Sequence, residues 1–369
     1  MEIVRPTWVE INLKCLKYNF DKIKKFSDSR KIIGVVKADA YGHGAEEISK
    51  ALESWSIDFL AVASFEEAMQ LRKNGIKNTP LLVLGYVNPS ALKTAALENI
   101  HITLFNKRFL EKLADYKENI PLNIHINVDT GMGRIGVFPE EVVSIVKTLS
   151  DMEKIRFYGI YTHFSTADSD SEYLNTQLRR FKKVLFDLEK VHLKPELVHA
   201  ANSAAILGFK ETLFDAVRPG IILYGLSPFQ ERETDFKPIL SFKTRVVYVK
   251  KIPPGASISY GRNFIAKKEM TVATIPVGYA DGLPRALSNK GEVLIKGKRV
   301  KILGNVTMDQ TVIDVSGIPN VHSGNEVVII GKQGNEEITA TEIAKKIDTI
   351  NYEIVSRIGK RVERVYINK

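Results

Sequence analysis

Five side chains scattered along the sequence have the right types and settings for chemistry at one place. Lys37 closes the apolar run Ile-Ile-Gly-Val-Val-Lys and leads into Ala-Asp-Ala-Tyr-Gly-His-Gly. An amine at the tip of an apolar strand is poorly hydrated, which lowers its pKa and frees it as a nucleophile, the requirement for a Schiff-base lysine. The plainer reading of such a lysine is a surface residue with a buried stem. Arg218 stands alone as a charge in Ala-Val-Arg-Pro-Gly-Ile-Ile-Leu-Tyr-Gly. A charge there must be paired structurally or aimed at a ligand, and Gly220 just beyond would let backbone amides approach an anionic group. Ser203, in His-Ala-Ala-Asn-Ser-Ala-Ala, sits where a helix can begin, as a cap or a phosphate contact. Arg134 lies in Asp-Thr-Gly-Met-Gly-Arg-Ile-Gly, which lacks GxGxxG spacing and a Walker lysine. It reads as a turn that presents an arginine to a carboxylate. His163 ends Phe-Tyr-Gly-Ile-Tyr-Thr-His. The tyrosines of Ser-Ile-Ser-Tyr-Gly-Arg and Pro-Val-Gly-Tyr-Ala-Asp-Gly stand beside glycines, where packing or turn roles are usual.

The elements that must position these groups are short apolar runs alternating with amphipathic stretches. The runs are 32–36, 59–63, 81–84, 101–105, 123–128, 157–163, 197–200 and 216–223. Helical patterns lie between them at 45–53, 65–74, 89–97, 105–116, 140–149 and 172–191, and another at 14–26 comes before the first run. Strands separated by helix-length segments predict parallel βαβ units, and eight of them predict a closed (β/α)8 barrel of the TIM type. A doubly wound open sheet is the alternative. In a barrel, function collects at the carboxyl ends of the strands, so Lys37, Arg134, His163, Ser203 and Arg218 would converge on one rim. From about Thr234 the texture becomes β-rich, with strand-like segments at 244–251, 271–277, 292–303, 311–315 and 327–330, and helices only at 340–346 and 352–357. The expected division is therefore a barrel over 10–233 and a β-domain over 234–369, the latter joined by the β-like opening at 2–8.

Composition narrows the function class. Of 369 residues, 44% are apolar and 26% charged, ordinary for a globular chain. The net charge of +10 comes from lysines interleaved with acids along the whole length, which reads as solvated helix faces and excludes a concentrated nucleic-acid surface. The single Cys15, in an apolar helical pattern, reads as core filler and cannot form an intrachain disulfide. No secretion-signal layout opens the chain and no apolar run approaches the roughly 20 residues of a membrane span, so a cytoplasmic location is expected. The seven histidines lack metal-binding spacing, and no metal is expected.

Taken together, Val-Val-Lys-Ala-Asp-Ala-Tyr-Gly-His-Gly closely resembles the lysine signature of the alanine racemases. The resemblance continues in register through Asp-Thr-Gly-Met-Gly-Arg-Ile-Gly, Tyr-Thr-His-Phe-Ser-Thr-Ala-Asp, His-Ala-Ala-Asn-Ser-Ala, Val-Arg-Pro-Gly-Ile-Ile-Leu-Tyr-Gly, Ser-Tyr-Gly, Gly-Tyr-Ala-Asp-Gly and Met-Asp-Gln, across both domains. It implies a cytoplasmic homodimer that interconverts L- and D-alanine with pyridoxal 5'-phosphate, supplying D-alanine for peptidoglycan. Lys37 would bind the cofactor and take the α-proton from D-alanine. Tyr260, from the partner subunit, would take it from L-alanine on the opposite face. Arg218 would face the pyridine nitrogen and His163 the ring. Tyr41, Ser203, Gly220, Ile221 and Tyr352 would hold the phosphate, with Asn202 in the same cofactor set. Arg134 would meet the phenolic oxygen and the substrate carboxylate, joined by the backbone of Met308, while Tyr279 and Asp309 would line the entrance. Free lysine and tyrosine have pKa values near 10.4 and 10, roughly, so both bases would need tuning towards neutrality. Arginine stays protonated, which would keep the ring a weaker electron sink and limit side reactions.

One position departs from the pattern. Many family members carry a carbamylated lysine two residues before Asp-Thr-Gly, where this chain has Asn127. A neutral amide cannot supply that negative charge, so a direct amide contact to Arg134 or a bound anion such as chloride is expected instead, with weak binding of the substrate carboxylate as the alternative outcome. Of the rivals on the same barrel, a basic-amino-acid decarboxylase would need a cysteine in the β-domain, which is absent here. A non-catalytic carrier of the cofactor would have no use for a second base, and a broad-specificity racemase is separable only by substrate kinetics.

Overall fold

The computed structural model describes residues 5–229, 232 and 234–368. The chain divides into two compact units: one takes in residues 17–40 and 45–236, the other residues 1–16, 41–44 and 237–369.

Strand β1 (Thr7–Asn12) runs straight into the helix Leu13–Phe26. Residues 2–4 of the expected opening strand lie outside the described residues, and the strand starts at Thr7 and extends past Trp8 to Asn12. Cys15, in that helix, is half-buried and is not the core filler its pattern suggested.

The first unit is built on strands β2 (Lys31–Val35), β3 (Phe59–Val62), β4 (Leu81–Val83), β5 (Ile100–Leu104), β6 (Leu122–Asn127), β7 (Ile155–Tyr161), β8 (Leu197–His199) and β9 (Ala216–Val217). They pair in chain order, all parallel, and β9 returns to β2 through Lys31↔Ala216 and Ile32↔Val217, closing an eight-stranded barrel. Closure excludes the open-sheet alternative. Ser64, Asn106, Asp170 and Asn202 each accept a backbone N–H from the first turn of the helix that follows, which fixes where four of the connecting helices start. The last strand is far shorter than the expected 216–223. Pro219 has no N–H to give a ladder, and the chain turns through Gly220–Tyr224 by local backbone bonds.

In the second unit, β1 is joined by β10 (Leu240–Arg245), β11 (Tyr248–Ile252), β12 (Ser257–Ile258), β13 (Phe264–Ile265), β14 (Met270–Ile275), β15 (Glu292–Ile295), β16 (Lys298–Leu303), β17 (Thr311–Asp314), β18 (Glu326–Gln333), β19 (Glu336–Ile338) and β20 (Glu363–Ile367). The main sheet runs β11-β14-β17-β16-β15-β18-β10-β1-β20. The single strand expected over 244–251 is two strands, β10 and β11, which join different neighbours, β1 and β18 for one and β14 for the other. The run 292–303 folds back at Lys296-Gly297 as a hairpin. Helices occupy Ala340–Lys346 and Asn351–Ser356.

Asp281 organises this unit. Its side chain is fully buried and takes ion pairs from Arg5 and, at 2.7 Å, from Arg361, plus the Gly278 N–H at 2.9 Å. Burial pushes its pKa up, but the two guanidiniums and the N–H outweigh that and hold it below the usual carboxylate range. The folded-state pKa is thus depressed, so the stabilisation is present above about pH 3.9 and is lost as pH falls through the folded value. Asp281→Asn should cost about 2 kcal/mol at pH 7, less than the roughly 3–5 of a fully buried pair because both arginines are partly exposed. Urea titrations at pH 7 and pH 3 check this: the gap from wild type should narrow in acid, and a gap independent of pH refutes the assignment.

Candidate active site

The site begins with the backbone after β2. Ala38, Asp39, Ala40 and Tyr41 have φ of 51, 55, 52 and 55°, a full left-handed turn made of L-residues without a single glycine. Each such residue costs roughly 1–2 kcal/mol, so other contacts must hold the turn. Glu67 supplies two of them. Its Oε1 accepts the Ala38 N–H and its Oε2 accepts the Ala63 N–H, both at 2.7 Å, tying the ends of β2 and β3 together. Asp39 Oδ1 accepts the Ala45 N–H at 2.8 Å where the next helix starts. Lys37 is therefore fixed by its neighbour's backbone. Nothing in the sequence reading singled out Glu67; its place three residues after the capping Ser64 was the available signal.

Lys37 is half-buried, and its amine makes no hydrogen bond or ion pair among the described residues. Burial lowers its pKa, Arg134 and Arg218 lower it further, and Glu67 partly opposes them. The electrostatics therefore favour a neutral, nucleophilic amine.

Arg218 follows β9 and is buried. Its Nη2 donates to the Thr162 and Ala200 carbonyls at 2.7 and 3.0 Å and to His163 Nδ1 at 3.3 Å, and its Nη1 donates to His199 Nδ1 at 2.9 Å. No carboxylate pairs with it among the described residues, and its Nε–H donates to nothing there. Burial pushes its pKa down to about 10, partly offset by Tyr161, which still leaves it cationic at neutral pH. Burial, Arg218, Arg134 and Lys37 hold His163 down to about 3, so its ring is neutral.

Ser203 and Gly220 meet: Ser203 Oγ accepts the Gly220 N–H at 3.0 Å, with both residues and Ile221 buried. The helix cap is Asn202 and not Ser203. Asn202 Oδ1 accepts the Ala205 N–H at 3.0 Å and its amide donates to the Phe164 carbonyl at 3.3 Å, leaving the Ser203 hydroxyl to face Gly220.

Arg134 is exposed on the loop after β6. The Val128↔Val137 bridge closes that loop, and Asp129 Oδ1 organises it by accepting the Gly131 and Gly133 N–H groups at 3.0 and 3.1 Å. From the long helix Ser171–Lys190, Tyr173 and Arg180 brace it through the Gly131 and Thr130 carbonyls. The expected direct contact between Asn127 and Arg134 is not made. The amide donates instead to the Ile135 carbonyl at 3.1 Å, because Asn127 lies in the strand and its side chain reaches only the loop's returning backbone. Arg134 has no anionic partner among the described residues and is left as a free cation.

The second unit presents its own set. Tyr41 and Tyr352 have ring centroids 6.1 Å apart. Gly42, next to Tyr41, has φ of 84°, and a Cβ there would lie 2.1 Å from the Val355 carbonyl oxygen, so only glycine fits. Tyr260 is 77% exposed, and its phenol makes no hydrogen bond among the described residues. Ser259, Gly261 and Arg262 around it all have positive φ, and Asn305 holds the turn by donating to the Tyr260 carbonyl at 2.8 Å. Tyr279 and Met308 are exposed, and Asp309 pairs with Arg361 at 2.7 Å.

A closed parallel barrel that carries a half-buried lysine, a buried arginine and an exposed loop arginine, followed by a sheet-rich second unit, defines the class of two-unit barrel proteins to which this chain belongs. Residues 11–228 match the family described as "Alanine racemase, N-terminal domain", and residues 239–366 match "Alanine racemase, C-terminal domain". A relative from Halothermothrix orenii named alanine racemase is 48% identical, with 100% of this chain and 98% of that protein covered. The solved alanine racemase of Bacillus anthracis with bound L-Ala-P is 39% identical, with a TM-score of 0.94 and 100% and 97% of the two chains covered. That of Clostridium difficile 630 in complex with cycloserine is 36% identical, with a TM-score of 0.90 and 99% and 96% covered. The chain belongs to the alanine racemase family.

Proposed function

We propose that this enzyme interconverts L- and D-alanine on pyridoxal 5'-phosphate, with Lys37 and Tyr260 as the two bases. The observation that carries the reading is the pairing of two unsatisfied groups on the barrel rim, the Lys37 amine and the Arg218 Nε–H. The donor set fits an aldehyde-bearing aromatic phosphate: an amine for the aldehyde, a cationic N–H for a ring nitrogen, and, for an anion, the Ser203 hydroxyl, oriented by the Gly220 N–H it accepts, with the Ile221 amide beside it. When bound, this cofactor supplies the electron sink that makes an amino acid's α-hydrogen acidic.

The chain's own residues then do the following. Lys37, whose pKa is lowered by burial and by two arginines, removes or returns a proton on one face. Tyr260, free of internal partners, serves the opposite face, the Met308 backbone joins Arg134 at the substrate carboxylate, and the exposed Tyr279 and Asp309 line the way in. We assign these four to the partner subunit's site, which makes the working form a homodimer. Neutral His163 packs on the ring without adding charge. Tyr41, Tyr352 and Asn202 support the cofactor, the last through the backbone it caps. Arg134 takes the substrate carboxylate. With Asn127 in use by the loop, any charge balancing Arg134 comes from a dissolved anion such as chloride. Among the described residues no helix is long and apolar enough to cross a membrane, which agrees with work in the cytoplasm on a small soluble substrate, supplying D-alanine for peptidoglycan.

The direct test is purified protein incubated with L-alanine and cofactor, followed by chiral analysis. D-alanine should accumulate to near equality. Protein that takes up no pyridoxal phosphate, or leaves L-alanine unchanged, overturns the reading.

A further inference from the structure

The barrel interior holds a row of polar rings. Arg218 Nη1 contacts His199 Nδ1 at 2.9 Å, His199 Nε2 contacts His125 Nδ1 at 3.0 Å, His125 Nε2 contacts His101 Nδ1 at 3.0 Å, and His101 Nε2 contacts the Asn123 amide at 3.1 Å. The three histidines and Arg218 are buried. Tyr161 stacks on His199 at 4.8 Å, and Tyr158 lies edge-on to His101 at 4.5 Å. The space for the row is made by the chain itself: a Cβ on Gly159 would lie 2.4 Å from His125 Nδ1.

Proton counting fixes the direction of this row. Its four contacts need one hydrogen each. Arginine can only donate, so it fills the first, and each neutral imidazole brings a single N–H for the next three. Asn123 must therefore accept. Were its amide to donate, five hydrogens would crowd four contacts, and a charged imidazole would add another. Rotating the Asn123 amide by half a turn places Oδ1, which is otherwise buried without a partner, against His101 Nε2–H and turns the NH2 to the position Oδ1 leaves.

We propose that His199, His125, His101 and Asn123 form a one-way hydrogen-bond chain that holds Arg218 cationic and correctly aimed, using aligned neutral dipoles in place of a carboxylate. Each ring turns its Nδ1 lone pair towards the arginine and its Nε2–H away, so the dipoles add and polarise one another. The end at an amide, which does not titrate, stops proton flow, so the chain fixes charge and does not conduct it. A carboxylate in the same role would place a full negative charge behind Arg218 and draw its proton towards itself. The three histidines and Asn123 are positioning residues. Their effect on catalysis rests on the reading of Arg218 as the ring-nitrogen partner, but the tautomers do not.

The test is nitrogen-15 NMR of the full-length protein labelled at histidine, at pH 7, with and without cofactor. His101, His125 and His199 should all be the neutral Nε2–H tautomer. An Nδ1–H tautomer or an imidazolium at any of the three overturns the proposal, whatever the protein does to alanine. Two variants separate direction from packing. His101→Gln keeps an acceptor towards His125 and a donor towards Asn123, whereas His101→Phe keeps the ring beside Tyr158 and Phe59 but leaves the His125 N–H without an acceptor. The phenylalanine variant should lose the single tautomer at His125 and lower kcat about 10-fold, the scale of lost supporting hydrogen bonds, with KM for alanine little changed. The glutamine variant should keep both within about twofold of wild type. Equal effects of the two variants, or an undisturbed His125 in His101→Phe, refute the chain.

Discussion

Tyr260→Phe should lower racemisation by about a thousandfold while leaving the α-hydrogen of D-alanine exchanging with solvent, and Lys37→Ala should abolish both. The asymmetry follows from geometry at the substrate. A base returns a proton to the face from which it took it, so inverting a flattened α-carbon takes two groups on opposite faces. Removing the phenol leaves Lys37 able to exchange hydrogen on its own face without inversion. Removing the lysine takes away the base of one face and also the amine that anchors the cofactor, so nothing remains for the phenol to work on. The structure favours these roles because the Lys37 amine is depleted of partners and shifted towards neutrality, and because the Tyr260 phenol is held out by a strained turn with no internal bond. Deuterium wash-in followed by mass and chiral analysis reads both quantities at once. Full racemisation by Tyr260→Phe, or racemisation surviving in Lys37→Ala, would end the two-base scheme.

What the sequence exposed and what it hid have different physical causes. The alternation of apolar runs with helix-length segments made the closed barrel legible, because parallel barrel strands are buried on both faces and carry continuous apolar character. Strand ends were legible for the same reason: the first polar residue after each run, such as Lys37 or Arg218, marks the rim. The interior histidines were hidden in the same runs. Ile-His-Ile in β5, Ile-His-Ile in β6 and Val-His-Ala at the end of β8 look like stretches of apolar strand, and only the side-chain contacts of His101 with His125 and of His125 with His199 show that the three rings share one face. Period-two alternation was the signal that would have found them. The left-handed turn after Lys37 was illegible because Ala38, Asp39 and Ala40 carry no intrinsic preference for it; Glu67, which helps hold it, comes from another βα unit. Asn127 shows the limit of reading a departure from a pattern. Its neutrality was plain, but which acceptor the amide would choose depended on where the loop's backbone returned.

Arg218→Glu should produce a new long-wavelength absorption band in the cofactor-loaded enzyme during turnover and reduce kcat/KM by about 100- to 1,000-fold. The buried guanidinium is held down to about 10 yet remains charged at neutral pH, so in the proposed role it would donate to a ring nitrogen without surrendering its proton. A carboxylate at the same place would accept, favouring a protonated ring that draws electrons more strongly and lets the deprotonated substrate persist. The substitution also acts behind the ring. His199 Nδ1 would lose its donor and face an acid, so the whole row of imidazoles would be driven to reverse or to take up a proton, and the Thr162 and Ala200 carbonyls would lose their shared donor. A lower unfolding midpoint is therefore expected alongside the spectral change. Arg218→Lys separates the two effects: it keeps a positive donor but cannot bond several partners at once, so it should lose stability and activity without gaining the band. If the glutamate variant folds, binds cofactor and racemises alanine at the wild-type rate with no new absorbance, then Arg218 does not set the electron demand of the ring, and its cluster of hydrogen bonds serves the barrel alone.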